Sequence, residues 1–360
     1  MKYILAILFS FAVTASYAQL VSLNKEEVAN LGHLLKNDKE ANALYAIVKR
    51  RADDALAQTP NPIDTVVSEG HLATDPKKIR TIQSLKDIDK IYSLSIAYVV
   101  DGNKKYLSKT GEFILAWATT NRPQGNPIND TKFEDLLFAY DLLKNNLPAE
   151  DDKMINSWLE QMADAEIKTG QSKTKITSLN NWNSHRLKVI GLIAYILNND
   201  KYKNYIAEEL PVQIEKNLLP DGSGFDFRER DALHYHVYTL EPLISLATVL
   251  KRATGKDFYH YSSPSGASIE KSIAFLIPFV SGEKMHAEFV NSKVAFDKKR
   301  AVNKEAGYEI GAPFKRTAGV NVLVEASYFD PSCMDVVRKA MGISSVVYPT
   351  WQAVINEVRK

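Results

Sequence analysis

One cysteine, Cys333, is present among 360 residues, so no disulfide can form within the chain and the fold cannot depend on one. Excess charge is nearly absent too: 45 lysines and arginines against 43 aspartates and glutamates leave a net charge of +2. That balance creates no long-range field for nucleic acid or an anionic membrane, so an acidic partner would have to be held by a local basic site. Beyond the first twenty residues, no apolar run is long enough to cross a bilayer. No internal repeat is found, and no linker divides the chain.

The beginning of the sequence reads as a targeting segment. Met1-Lys2-Tyr3 precedes an apolar run from Ile4 to Val13, followed by Thr14-Ala15-Ser16-Tyr17-Ala18. One early positive charge, a short apolar core and small residues at 16 and 18 predict a secretory signal peptide over 1–18, cleaved after Ala18. The protein is therefore expected in the periplasm or outside the cell. No Cys follows the leader to carry a lipid, and 19–360 is expected to form a single domain.

Helical periodicity dominates that domain. Apolar residues recur at three and four spacing in 28–57, 88–100, 106–118, 133–143, 154–167, 187–197, 202–214, 240–250 and 269–279. Turn signals separate them, among them Asp101-Gly102-Asn103, Leu147-Pro148, Asn198-Asn199-Asp200 and Thr254-Gly255. Segments of this length with short connections predict antiparallel helical hairpins, and the fold class is all-α, a closed or incomplete α/α toroid. After residue 285 the pattern is less regular. Val322-Leu323-Val324 and the run 344–347 read as short strands.

Two polar clusters interrupt the apolar segments. The first is Asn180-Asn181-Trp182-Asn183-Ser184-His185-Arg186; the second runs from Arg228 to Tyr238 and contains Arg228, Arg230, His234, Tyr235, His236 and Tyr238. Amides, imidazoles and guanidinium groups placed there supply carboxylate binders, a base and a phenol able to donate a proton. Those are the parts a β-elimination on a uronic acid polymer requires. The bland alternatives are that Asn180 caps a helix, His185 is a satisfied interior histidine, and Tyr235 and Tyr238 are half-buried helix aromatics.

Several stretches in order carry a family resemblance: Ser93 to Tyr106, Ile114 to Ala118, Ala139-Tyr140-Asp141-Leu142-Leu143, both polar clusters, and Glu288 to Lys293 with Phe296-Asp297. Across roughly residues 65 to 330 the chain resembles the alginate-lyase-like polysaccharide lyases. The resemblance implies an α/α toroid with a long cleft, an anionic uronate polysaccharide as partner, and no cofactor. It implies that Asn, His and Arg address the C6 carboxylate while a Tyr protonates the leaving O4 and in some members also removes the C5 proton.

Carried onto this sequence, Arg228 and Tyr235 match the family's Arg, six intervening residues and Tyr, around Ala232-Leu233. Where relatives read Asn-Asn-His, Trp182 stands in the place of the histidine, and His185 lies about one helical turn further on. The expected catalytic set is therefore Tyr235, His185, Arg228 and Asn181. The base is left open between His185, which suits anti elimination, and Tyr235, which suits syn. Trp182, Asn183, Arg230, His234, His236, Tyr238 and Tyr140 are expected to bind substrate, whereas Trp117 is assigned to core packing. His71 is placed on a loop over the cleft. Glu283, His286 and Glu288 raise the question of a metal, as does the His234/His236 pair, but two His at alternate positions without a third ligand at defined spacing are a weak signal, so no catalytic metal is expected.

Two other readings remain. A glycoside hydrolase on the same fold would use two carboxylates, with Asp226 and Glu229 as candidates. A non-catalytic glycan-binding protein would keep the aromatics without needing the Arg and Tyr spacing.

Overall fold

The structure, a computed structural model, describes residues 21–360 apart from 173; the signal-peptide expectation over 1–18 lies outside the described residues. The helices are α1 (Lys25–Asn37), α2 (Lys39–Ala55), α3 (Pro76–Ser84), α4 (Lys86–Asp101), α5 (Lys104–Thr120), α6 (Pro127–Asp130), α7 (Glu134–Leu143), α8 (Ala149–Gly170) and α9 (Asn181–Ile196). They continue as α10 (Asp200–Asn217), α11 (Phe225–Arg230), α12 (Leu233–Thr254), α13 (Ile269–Ser281), α14 (Ala295–Val302), α15 (Val320–Ala326), α16 (Cys333–Met341) and α17 (Trp351–Val358). Among the described residues there is no strand, only isolated bridges at Leu218–Gly224 and Ala287–Pro313.

The helices form a double ring, the α/α toroid that the periodicity predicts. α4, α7, α9, α12, α15 and α17 follow one another around the inside, each packed on the next, and α17 meets α1 and α2, which return to α4. α5, α8, α10 and α13 form outer partners, with α5 on α4, α10 on α9 and α13 on α12. Aromatic packing fastens the layers. Phe133 stands edge-on between Trp117 and Trp158, at 5.3 Å from each, and the two indole N–H groups donate to Asp87 and Asn121. Trp117 is fully buried, as its assignment to the core requires.

Local chemistry accounts for the ends of the helices. Asn24 and Glu27 form a reciprocal capping box at the start of α1. The single helix expected over 28–57 is instead two, because the Asp38 carboxylate accepts from the Ala41 amide at 2.8 Å and starts α2 afresh. Gly102 and Gly255 end α4 and α12 in the left-handed conformation. The strand expected at 322–324 is corrected to helix. Val320, Leu323 and Val324 pack into the ring from α15, and the apolar run reflects a buried helix rather than a pleated edge. Residues 344–347 form a turn and a bend instead of a strand, and the Val347 amide donates to the Glu40 carboxylate at 2.8 Å.

Candidate functional site

The first cluster is built around a buried carboxylate. Asp226, at the start of α11, accepts from the Asn181 amide at 2.8 Å, Asn181 Nδ2 at 2.5 Å, Asn217 Nδ2 at 3.0 Å and Thr239 Oγ1 at 2.9 Å. Burial pushes its pKa up and these four donors pull against that shift. One side chain thereby ties together α9, α10, α11 and α12. Asn183 is likewise committed: it donates to Gln213 at 2.8 Å and accepts from Arg186 at 3.1 Å, and Arg186 pairs with buried Glu166. The amides of this cluster therefore hold the frame, and the side chain of Asn180 caps α9 through the Trp182 amide.

His185, one turn into α9, differs. Its Nδ1 lies 3.0 Å from Thr131 Oγ1, its ring is 4.3 Å from that of Tyr238, and its Nε2 has no hydrogen-bond partner. Burial, then the charges of Lys188 and Lys132, hold its pKa well below the usual histidine range, so the ring is neutral at pH 7. If Nδ1 carries the proton and donates to Thr131, the lone pair sits on Nε2.

The second cluster is split between two helices. α11 ends at Arg230, Asp231 takes the left-handed conformation (φ 47°), and α12 starts at Leu233. The 286–293 segment is sewn onto this break. Glu288 accepts from the Leu233 and His234 amides at 2.8 and 3.0 Å and caps α12, and Asp231 accepts from the amide and side chain of Asn291 at 2.9 Å each. Tyr235, in the first turn of α12, points toward that segment and is 5% exposed. Its hydroxyl accepts from Arg300 Nη1 at 2.9 Å and lies 3.3 Å from the Tyr308 hydroxyl. The Arg230 guanidinium stacks on its ring at 3.7 Å and is itself fixed by Asp297 at 2.7 Å. Burial and Tyr308 raise the Tyr235 pKa well above the usual phenol value, with Arg230 and Arg300 opposing, so the phenol is protonated at neutral pH.

Four of the expected residues thus meet around one space: Tyr235, Tyr238, His185 and Arg230, with His234 in its aromatic wall 5.0 Å from Tyr235 and 5.7 Å from Tyr308. Burial, then Arg230 and Arg300, depress the His234 pKa to about 4. Trp182 is half-buried at the first turn of α9.

The remaining expected residues sit elsewhere. Arg228 bonds to Ser223 and Asp221 with its side chain 55% exposed; the break at Asp231 puts it on a different helix from Tyr235, so their sequence spacing does not align them. Asn181 and Asn183 are spent on protein partners. His236 faces the opposite side of α12, where its Nε2 reaches the Ser272 carbonyl at 3.0 Å and its ring packs on Phe275. Tyr140 is fully buried with its hydroxyl on Asp152 and Asn156, so it cannot stack on a sugar. His71 pairs with Asp75 at 2.6 Å on a loop whose Ala73 amide donates to Glu305, beside Arg300.

Arg300, Tyr308 and Thr131 are site residues that sequence reasoning missed. Arg300 lay in the basic run Lys298-Lys299-Arg300, close to the quoted Phe296-Asp297, but nothing in that run singles out one cation.

Comparisons with known proteins agree with this architecture. An alginate lyase from Bacteroides ovatus superposes with a TM-score of 0.68 at 17% identity, covering 92% of this chain and 97% of that one. Alginate lyase A1-III from Sphingomonas species A1 superposes at 0.61 and 18% identity, covering 88% and 89%. A tyrosine-to-phenylalanine variant of alginate lyase A1-III complexed with a tetrasaccharide gives 0.59 at 20% identity, covering 74% and 79%. No curated protein matches the chain. The alginate lyase family profile matches residues 35–286, well over half of the sequence, and the chain therefore belongs to the alginate lyase family of polysaccharide lyases.

Proposed function

We propose that this lyase is exported and cleaves a 4-linked uronic acid polymer of the alginate or glucuronan type by β-elimination, with His185 as base and Tyr235 as acid. The C5–H bond breaks and its proton passes to His185 Nε2. The C4–O4 bond breaks, the departing O4 takes the Tyr235 hydroxyl proton, and the electron pair from C5–H becomes the C4=C5 double bond conjugated to the carboxylate.

The observation that carries this reading is the complementary state of two groups beside one tyrosine. His185 is neutral with an unpartnered Nε2, and Tyr235 is a protonated phenol whose oxygen already receives a guanidinium N–H. As Tyr235 gives up its proton, the Arg300 hydrogen bond strengthens on the developing phenolate. The rings of both His185 and Tyr235 lie against Tyr238, at 4.3 and 6.5 Å. Export rests on the residue pattern of 1–18 alone.

Both carboxylates that the hydrolase reading names are engaged within the protein. Asp226 is saturated by four donors inside the protein, and Glu229 pairs with Lys293 at 2.9 Å. The test is a screen over alginate, poly-mannuronate, poly-guluronate and glucuronan, reading ultraviolet absorbance alongside new reducing ends. Elimination raises both together; reducing ends without absorbance would mean hydrolysis and end the proposal.

A further inference from the structure

We propose that Lys132 binds the C6 carboxylate of the uronate ring whose C5 proton His185 removes; this rests on the lyase reading above. Elimination needs that carboxylate neutralised, and C6 is bonded to C5, so the cation must stand close to His185. The expected candidates are engaged elsewhere: Arg228 with Asp221, and Asn181 with Asp226. Arg230 is fixed by Asp297, Arg300 by the hydroxyls of Tyr235 and Tyr308, and Lys188 by Glu134.

Lys78 donates to the His71 carbonyl at 3.0 Å, which leaves Lys132 among the cations near His185. Lys132 belongs to a short 3-10 turn, Thr131–Phe133, between α6 and α7. Successive side chains of such a turn point about 120° apart. Thr131 meets His185 Nδ1, and Phe133 is locked between Trp117 and Trp158. Lys132 is left to project into the throat of the ring, where it is exposed to solvent. Its Nζ stands 6.0 Å over the ring of Tyr238, whose ring is 4.3 Å from His185. Among the described residues it makes no ion pair and no hydrogen bond.

Protein surrounds the throat, and that desolvation, then the charge of Lys188, depresses the Lys132 pKa, with Lys78 acting the same way and Glu241 and Glu134 opposing. Lys188 is paired with Glu134 and Lys78 donates to the His71 carbonyl, so Lys132 is the one of these three cations whose ammonium is left to meet a bound carboxylate. The ring of buried His185, whose Nε2 is unpartnered, lies against the same Tyr238 ring over which Lys132 stands. A rigid turn therefore couples the base to the carboxylate binder: residue 131 orients the imidazole and residue 132 receives the acid group on the neighbouring carbon.

The test uses the full chain carrying Tyr235→Phe, titrated calorimetrically with mannuronate, guluronate and glucuronate tetramers. Adding Lys132→Met should weaken binding of the preferred tetramer about tenfold and reduce its dependence on salt, while Lys132→Arg should bind within about threefold of the parent. In the chain with Tyr235 intact, Lys132→Met should lower kcat/KM at least as much, with an unchanged melting temperature because the side chain is exposed. Parent-like affinity and turnover in Lys132→Met would overturn the assignment and leave the lyase reading standing. Tetramer binding by the parent, without ultraviolet product from the unsubstituted chain, would overturn the lyase reading. Failure of the parent to bind any tetramer would overturn the assignment.

Discussion

Arg300→Met isolates the coupling on which the acid role of Tyr235 depends. The substitution keeps an unbranched side chain but deletes the 2.9 Å hydrogen bond to the Tyr235 hydroxyl and the 3.0 Å bond to Tyr308. In the ground state the guanidinium meets a neutral phenol; in the transition state it meets a developing phenolate. Only the difference between those two interactions accelerates the reaction, and for a charge-assisted bond in a buried site it is about 2 kcal/mol. That corresponds to a kcat about thirtyfold lower. KM should change little if the polymer is held mainly by other cations. The assay is the initial rate of ultraviolet absorbance at saturating polymer, with circular dichroism to confirm the fold. A double-mutant cycle sharpens it: in a Tyr235→Phe background, Arg300→Met should cost almost nothing further, because the proton it assists is gone. A kcat within twofold of the parent, or full additivity in the cycle, would refute the coupling.

His185→Ala should lower kcat at least about a hundredfold with a modest change in KM, the range for loss of a general base; a change in KM alone would reassign it to recognition. His236 gives a stability prediction with a definite sign. It is fully buried and its pKa falls to about 4, chiefly through desolvation, so between its unfolded value and about pH 4 the unfolded chain binds the extra proton. Its contribution is present above the unfolded value and is lost as pH falls. The stability difference between the parent and His236→Gln should therefore shrink by about 3 kcal/mol from pH 7 to pH 4, as read by denaturant unfolding at both pH values. Gly125→Ala should destabilise by about 3 kcal/mol, since Gly125 has φ 65° and a Cβ there would lie 2.3 Å from the Ala165 carbonyl oxygen of α8; an unchanged melting temperature would contradict that packing.

The ring of helices was legible because each helix buries one face and its apolar period survives in the sequence. What escaped were decisions made by single polar contacts. Asp38 cuts one apparent helix into two, and the 322–324 run looked strand-like because a short, deeply buried helix shows no period of its own. At the site, the clusters were visible as polar residues out of place, and His185 and Tyr235 do face one space. The assignments of Asn181, Asn183 and Arg228 were less secure, because an amide or guanidinium looks the same whether it faces a ligand or a protein carboxylate. Their partners are tertiary: Asp226 lies 45 positions from Asn181, and Gln213 lies 30 from Asn183. Arg228 and Tyr235 keep the family's spacing in sequence, but the left-handed residue at Asp231 turns the chain between them. Arg300 reaches Tyr235 from 65 positions away, a distance no local pattern spans.

The central claim, that Tyr235 supplies the proton that releases O4, is tested most directly by single-turnover ultraviolet assays of the parent and Tyr235→Phe on the polymer the parent prefers. Removal of one hydroxyl leaves the ring packing on Arg230 and Phe289 in place, so the variant should fold and bind as the parent does. The account predicts a burst of absorbance from the parent and none from the variant at equal polymer occupancy. Near-parental turnover by Tyr235→Phe would contradict it.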